Sequence, residues 1–132
     1  MILVFAAGFT LQAQESVKII VNDQVEIQTI SHNTIQKIYL GKKQTWDNGL
    51  KIIPVMLSEC PIQEIFLKEF VQRNYALFNA YWLRAIYTGT GVPPVTFSSE
   101  SELIEYVRST PGAIGYAANS TNSGELKTLE IN

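Results

Sequence analysis

Two glycine-punctuated stretches constrain this chain more than anything else in it: Ile38-Tyr-Leu-Gly-Lys-Lys-Gln-Thr-Trp46 and, further along, Thr110-Pro-Gly-Ala-Ile-Gly-Tyr116. Each joins a helical pattern to an extended one. Each also sets glycines, which let the backbone turn or approach a neighbour closely, among apolar anchors. Neither holds a catalytic group. The pair specifies a backbone architecture, and points to binding more than to a reaction.

The segments around these joints alternate between strand and helix patterns. Val17 to Val21 is a β-branched run and Val25 to Ile30 alternates apolar and polar residues, with Asn22 and Asp23 as the turn between two predicted strands. Ser31 caps a predicted helix whose Ile35, Ile38 and Tyr39 share a face, and Gly41 stops it. Lys51 to Leu57 reads as a strand with Pro54 at an edge or bulge. Pro61 suits a first helical position, and Ile62, Ile65, Phe66 and Phe70 make an amphipathic stripe behind it. Leu77 to Tyr87 is apolar almost all round, which predicts the central helix of the core. Ser99 and Glu102 form a capping box for a helix carrying Leu103, Ile104 and Val107, stopped by Pro111 and Gly112. Ala113 to Ala117 and Leu126 to Ile131 are closing strands, with the loop Asn119 to Gly124 between them. The expectation is an α/β domain, a small mixed sheet flanked by helices.

With 132 residues, 46% hydrophobic and 17% charged, the chain is sized for one domain with an ordinary core. Ten basic against 12 acidic residues leave no broad basic field, so nucleic acid is not an expected partner. One cysteine excludes an internal disulfide framework. Ile2 to Leu11 is an apolar run followed by Leu11-Gln-Ala13 and the polar Gln14-Glu-Ser16, the hydrophobic region and small-residue cleavage site of a secretory signal peptide. A membrane span needs roughly 20 apolar residues, more than this run has. No Lys or Arg precedes it, which suggests that the recorded start lies downstream of the true one; a buried first strand or helix is the competing reading. Residues 1–13 are thus expected to be a signal peptide and residues 14–132 one exported domain. No cysteine follows the cleavage site to carry a lipid anchor.

Several of these residues form a combined pattern: Ile38-Tyr-Leu-Gly41, Thr45-Trp46, Gly49, Ile52-Ile-Pro-Val55, Phe66 and Phe70, Trp82-Leu-Arg84, Gly89-x-Gly91-x-Pro93-Pro94, and Pro111-Gly-Ala-Ile-Gly-Tyr116. In this order they resemble the phosphate-binding family of periplasmic substrate-binding proteins, most closely its short members, from about Val17 to Ile131. The resemblance implies one lobe of the type II periplasmic binding-protein fold and a periplasmic location. It also implies an ABC transporter permease as partner and phosphate or a related oxyanion as ligand. Full-length relatives have two lobes that close over the anion, and after the strand matching Lys51 to Leu57 they carry an Arg and a Ser-Gly-Thr run. This chain has Met56-Leu-Ser-Glu-Cys-Pro61 there. It offers no Arg, and Glu59 would repel an anion.

An anion site needs backbone N–H groups converging at a helix start, where orphan donors and the positive end of the dipole meet. The loop Ser58, Glu59 and Cys60 before Pro61 is the candidate, with Ser58 as hydroxyl donor or as a plain helix-opening serine. Tyr116 is the other candidate contact, at a cleft rim or else at the core edge. Ser99 reads as a cap. Trp46 stacks on a ligand, lies in an interface or covers the core; Arg84 forms an ion pair or reaches the surface. Lys42 and Lys43 belong to a solvated loop or anchor phosphate. Cys60 and His32 lack a third orienting group, so no catalytic residue, metal site or cofactor is expected.

Two functions compete. One is a solute-binding protein of the phosphate transport type, not an enzyme. A single lobe leaves one side of its ligand in water, so a homodimer or a protein partner would have to complete the cleft. The other is an exported protein-interaction module that keeps the lobe fold and has lost anion binding.

Overall fold

A computed structural model describes residues 15–132; the expected signal peptide, residues 1–13, lies outside the described residues. Its sheet is organised around two strands. β1 (Val17–Val21) is the β-branched run, and β5 (Ala113–Ala118) carries Ala113, Gly115 and Ala117 on one face and Ile114 and Tyr116 on the other; all six of its residues are buried. They pair antiparallel from Val17 opposite Ala118 to Val21 opposite Ile114. The remaining strands are β2 (Thr29–Ile30), β3 (Ile53–Leu57), β4 (Val95–Phe97) and β6 (Lys127–Ile131). They complete a mixed six-stranded sheet in the order β2-β6-β1-β5-β3-β4. β3 runs parallel to both β5 and β4, while β6 is antiparallel to β1.

Side chains alternate across a strand, so neighbouring residues of β5 meet different layers. A Cβ on Gly115 would lie 2.8 Å from Leu103 Cδ2, which is how closely α4 (Glu100–Ser109) presses on one face. Tyr116 turns to the other face and stacks on Phe66 with 3.9 Å between ring centroids. Phe66 ends α2 (Pro61–Phe66), which continues without a break into a π-helical turn, Leu67–Val71. The wider turn brings Phe66, Leu67, Phe70 and Val71 inward together. α1 (His32–Tyr39) shares that layer, burying Ile35, Ile38 and Tyr39, and Ser31 caps it by accepting from the Thr34 amide at 3.1 Å. At the far end of α4, the buried Asn22 donates to the Val107 and Arg108 carbonyls at 2.9 and 3.0 Å.

Pro54 sits where a strand tolerates it. The Ile53 amide donates to Gly112 on the β5 side, so the position of Pro54's missing N–H faces the other side, ahead of β4, which first pairs at Val55.

The structure corrects two expectations and adds one strand. Val25 to Ile30 is extended in the sheet only at Thr29–Ile30, because the Val25 amide turns back to the Asn22 carbonyl at 3.0 Å. β4 carries no alternation legible in three residues. α3 (Tyr75–Thr88) is not the central helix: it lies outside the sheet layers and buries only Phe78 and Trp82 fully. It is tethered to the end of α1 by Trp82 Nε1, donating to Tyr39 O at 3.2 Å, and by Tyr81 Oη, donating to Leu40 O at 2.7 Å.

Candidate functional site

Because β3, β4 and β5 are parallel, their C-terminal ends share one edge of the sheet, the edge where ligands bind in open α/β folds. Three loops meet there: Ser58 to Cys60 after β3, Ser98 and Ser99 after β4, and Asn119 to Ser123 after β5. They are joined by Glu15 and Ser16 from the start of antiparallel β1.

Most polar groups on this edge hold one another. Glu100 Oε2 accepts from the Ala118 amide at 2.8 Å and from Thr121 Oγ1 at 3.0 Å, which locks α4 to the end of β5. The Asn119 amide donates to Ser16 O, and Ser120 Oγ donates to Glu15 Oε1 at 2.7 Å. Ser99 Oγ caps α4 by accepting from the Glu102 amide at 3.2 Å, but the Glu102 carboxylate turns to Ser98 Oγ, so the reciprocal half of the predicted box is not made.

The loop after β3 is different. Ser58 and Glu59 are exposed and Cys60 is half-buried. The Ser58 amide is tied to Phe97 O at 2.9 Å, but α2 opens at Cys60 with no side-chain cap and with Pro61 in its first turn. The loop is anchored from beneath by Gln63, whose Nε2 donates to Leu57 O at 3.0 Å. Ser58, Glu59 and Cys60 therefore stand together, on a loop held at both sides, in front of a helix start whose first amides no side chain claims among the described residues. Four carboxylates, Glu15, Glu59, Glu100 and Glu102, lie along the edge; Lys18 is engaged with Thr121 O at 2.6 Å, and Lys68 and Arg73 share with Glu59 the lining of a concavity of about 700 Å³.

Tyr116 is not at the rim. Its side chain is wholly buried, since β5 is covered on both faces, and its hydroxyl accepts from the Leu57 amide at 3.0 Å. It props the Ser58–Cys60 loop from below and is closed off from that loop's exposed face. Tyr39 does the equivalent one step earlier, donating to Val55 O at 2.8 Å and reaching Ile114 O at 3.3 Å. The β3–β5 register extends only over Ile53 and Pro54, so the two hydroxyls stand in for ladder bonds where the strands part. Burial raises both phenols above their ordinary pKa. The neighbouring Tyr116 adds to this at Tyr39; at Tyr116 the Leu57 amide opposes it and Cys60 adds to it.

The other singled-out residues sort readily. Trp46 is buried and its Nε1 donates to Gly112 O at 2.9 Å, so it covers the core and ties one glycine joint to the other. Arg84 reaches the surface, and Lys43 lies 3.7 Å from Asp47 in an exposed loop. His32 stacks on Phe70 and neighbours Glu69, whereas Cys60 lies near Tyr116. Sequence reasoning missed Glu100, Gln63 and Tyr39. Only Glu100 left a trace, as an acid in the first turn of a helix.

A concavity of about 580 Å³ lies at the opposite edge, between Lys42, Lys51, Pro54, Trp82 and Val92. It forms where α3 stands off from the N-terminal ends of β3 and β4, away from the edge where the three loops meet.

Solved structures match over 89% of the chain. They include an ABC-type phosphate transport receptor from Vibrio cholerae (15% identity, TM-score 0.60, 46% of that chain covered). PstS from Borrelia burgdorferi matches at 21% identity and TM-score 0.63, with 47% covered. A Clostridium perfringens protein with bound phosphate matches at 15% identity and TM-score 0.65, with 45% covered. The chain has the fold of one lobe of such a receptor. It spans less than half the length of each of these proteins. No protein-family profile and no curated protein matches the sequence.

Proposed function

We propose that this domain is a periplasmic solute-binding lobe of the phosphate-transport type, which holds phosphate or a related oxyanion noncovalently and presents it to an ABC transporter permease. The observation that carries this reading is the uncapped start of α2 behind the exposed Ser58–Cys60 loop, at the ligand edge of a fold shared with phosphate receptors. The first-turn amides and the Ser58 hydroxyl supply donors. Glu59 can only accept a hydrogen bond while ionised, so it selects an oxyanion that still carries a proton and disfavours sulfate. In this reading residues 14–132 are the working domain, exported by residues 1–13.

Isothermal titration of residues 14–132 with phosphate and sulfate tests it. The expected result is heat with phosphate, affinity reduced about 3- to 10-fold by Ser58→Ala through loss of one hydrogen bond, and weakened preference over sulfate in Glu59→Gln. Absence of heat and of any thermal shift at millimolar anion overturns it.

A second reading, an exported protein-interaction module without a ligand, draws on the carboxylates that crowd the same edge. The absence of heat with every oxyanion tried, in a domain that remains folded, is its expected result.

A further inference from the structure

The face of α3 turned away from the protein carries an apolar seam, with Asn79 and Arg84 beside it. Phe78, Tyr81, Trp82 and Ala85 point inward. At 100° per residue the opposite side is occupied by Ala76, Ala80, Leu83 and Tyr87, a spacing of four, three and four, with Ile86 on its flank. All five are exposed, Leu83 at 48%, Ile86 at 52% and Tyr87 at 89% of their surface. An outward stripe of this kind on a 14-residue helix is unusual for a surface that meets only water.

We propose that this seam is the interface of a two-fold homodimer in which α3 packs antiparallel against α3 of a second copy. The order of sizes along the seam carries the choice of occupant. Two small residues lead and two large ones follow, so reversing the helix sets Ala76 opposite Tyr87 of the second copy and Ala80 opposite Leu83. Each large side chain meets an alanine, and the two ends of the seam are satisfied by the same contacts, as an isologous interface requires. A parallel pairing would set large on large and leave a gap between the alanines. Antiparallel packing also opposes the helix dipoles favourably. Arg84, the one charged residue of α3, stands to the side of the seam. A lone cation without a basic stripe does not equip the helix for an anionic lipid surface. One helix from each copy makes a small contact, below the roughly 800 Å² per partner of a standard interface, so the dimer is expected to be weak and reversible.

Sedimentation velocity across about 1 to 200 µM reads the result directly, independently of any ligand. The expected outcome is a dimer at the upper concentrations. Ala80→Glu and Leu83→Lys should each weaken it at least about 100-fold, since each buries a charge against an apolar side chain. An equimolar mixture of the two variants should dimerise again, because the introduced charges then meet across the seam. Both positions are exposed, and circular dichroism of each variant confirms that it folds. A wild-type protein that stays monomeric at 200 µM, including one that instead sediments with phosphatidylglycerol vesicles, overturns the proposal. Variants that dimerise as well as the wild type place the interface elsewhere and overturn it too. A mixture that stays monomeric rules out the antiparallel register.

Discussion

The phenol of Tyr116 shows how a buried residue can support an exposed loop without reaching the surface. Its hydroxyl is the acceptor for the Leu57 amide, one residue before the exposed loop, at a point where β3 has parted from β5. Tyr116→Phe keeps the ring on Phe66 and leaves that buried amide unpaired, at a cost of about 1–3 kcal/mol. Denaturant unfolding should show the midpoint fall with the slope unchanged, and any oxyanion affinity should fall with it as the loop loosens. An unchanged midpoint would mean that water reaches the Leu57 amide. In the sequence Tyr116 is a tyrosine at the end of a small-residue strand, equally fit for a rim or a core. Burial on both faces of β5 settles its place, and that depends on α4 and α2, which come from other parts of the chain.

At the level of elements, the two glycine joints turn out to be one assembly. Trp46 from the first joint donates to the Gly112 carbonyl of the second, and a Cβ on Gly112, at φ +84°, would lie only 2.1 Å from the Lys51 carbonyl oxygen. Gly112→Ala therefore combines a left-handed backbone with a backbone clash that no rotamer relieves, and should cost at least about 3 kcal/mol. Thermal unfolding measures it; a loss below about 1 kcal/mol would show that the joint can shift. The helix stops, the Ser31 and Ser99 caps and the strand at Val17 to Val21 were legible because each depends on residues a few positions apart. α3 was misplaced for the converse reason. Hydropathy says that a helix apolar all round needs cover on every side, but not whether its own domain supplies it.

For the whole molecule, the paired core phenols predict a pH limit. A phenol whose folded pKa is raised keeps its proton to higher pH than in the unfolded chain. The stability linked to Tyr39 and Tyr116 is therefore fully present below the unfolded value of about 10 and declines as pH rises above it. Tyrosinate absorbance should show these two groups ionising together with the loss of far-ultraviolet circular dichroism; ionisation in a still-folded domain would contradict their burial. The sequence by itself determined the α/β class, the caps and stops of most helices and the glycine joints, because these are written in local periodicity and turn chemistry. Only the tertiary structure decided the strand order and the position of α3. It also gathered the Ser58, Ser99 and Asn119 loops on one edge and placed Tyr39 and Tyr116 beneath them. Those outcomes arise from contacts between residues far apart in the chain, whose free energy depends on which surfaces remain to be buried once the local elements have formed.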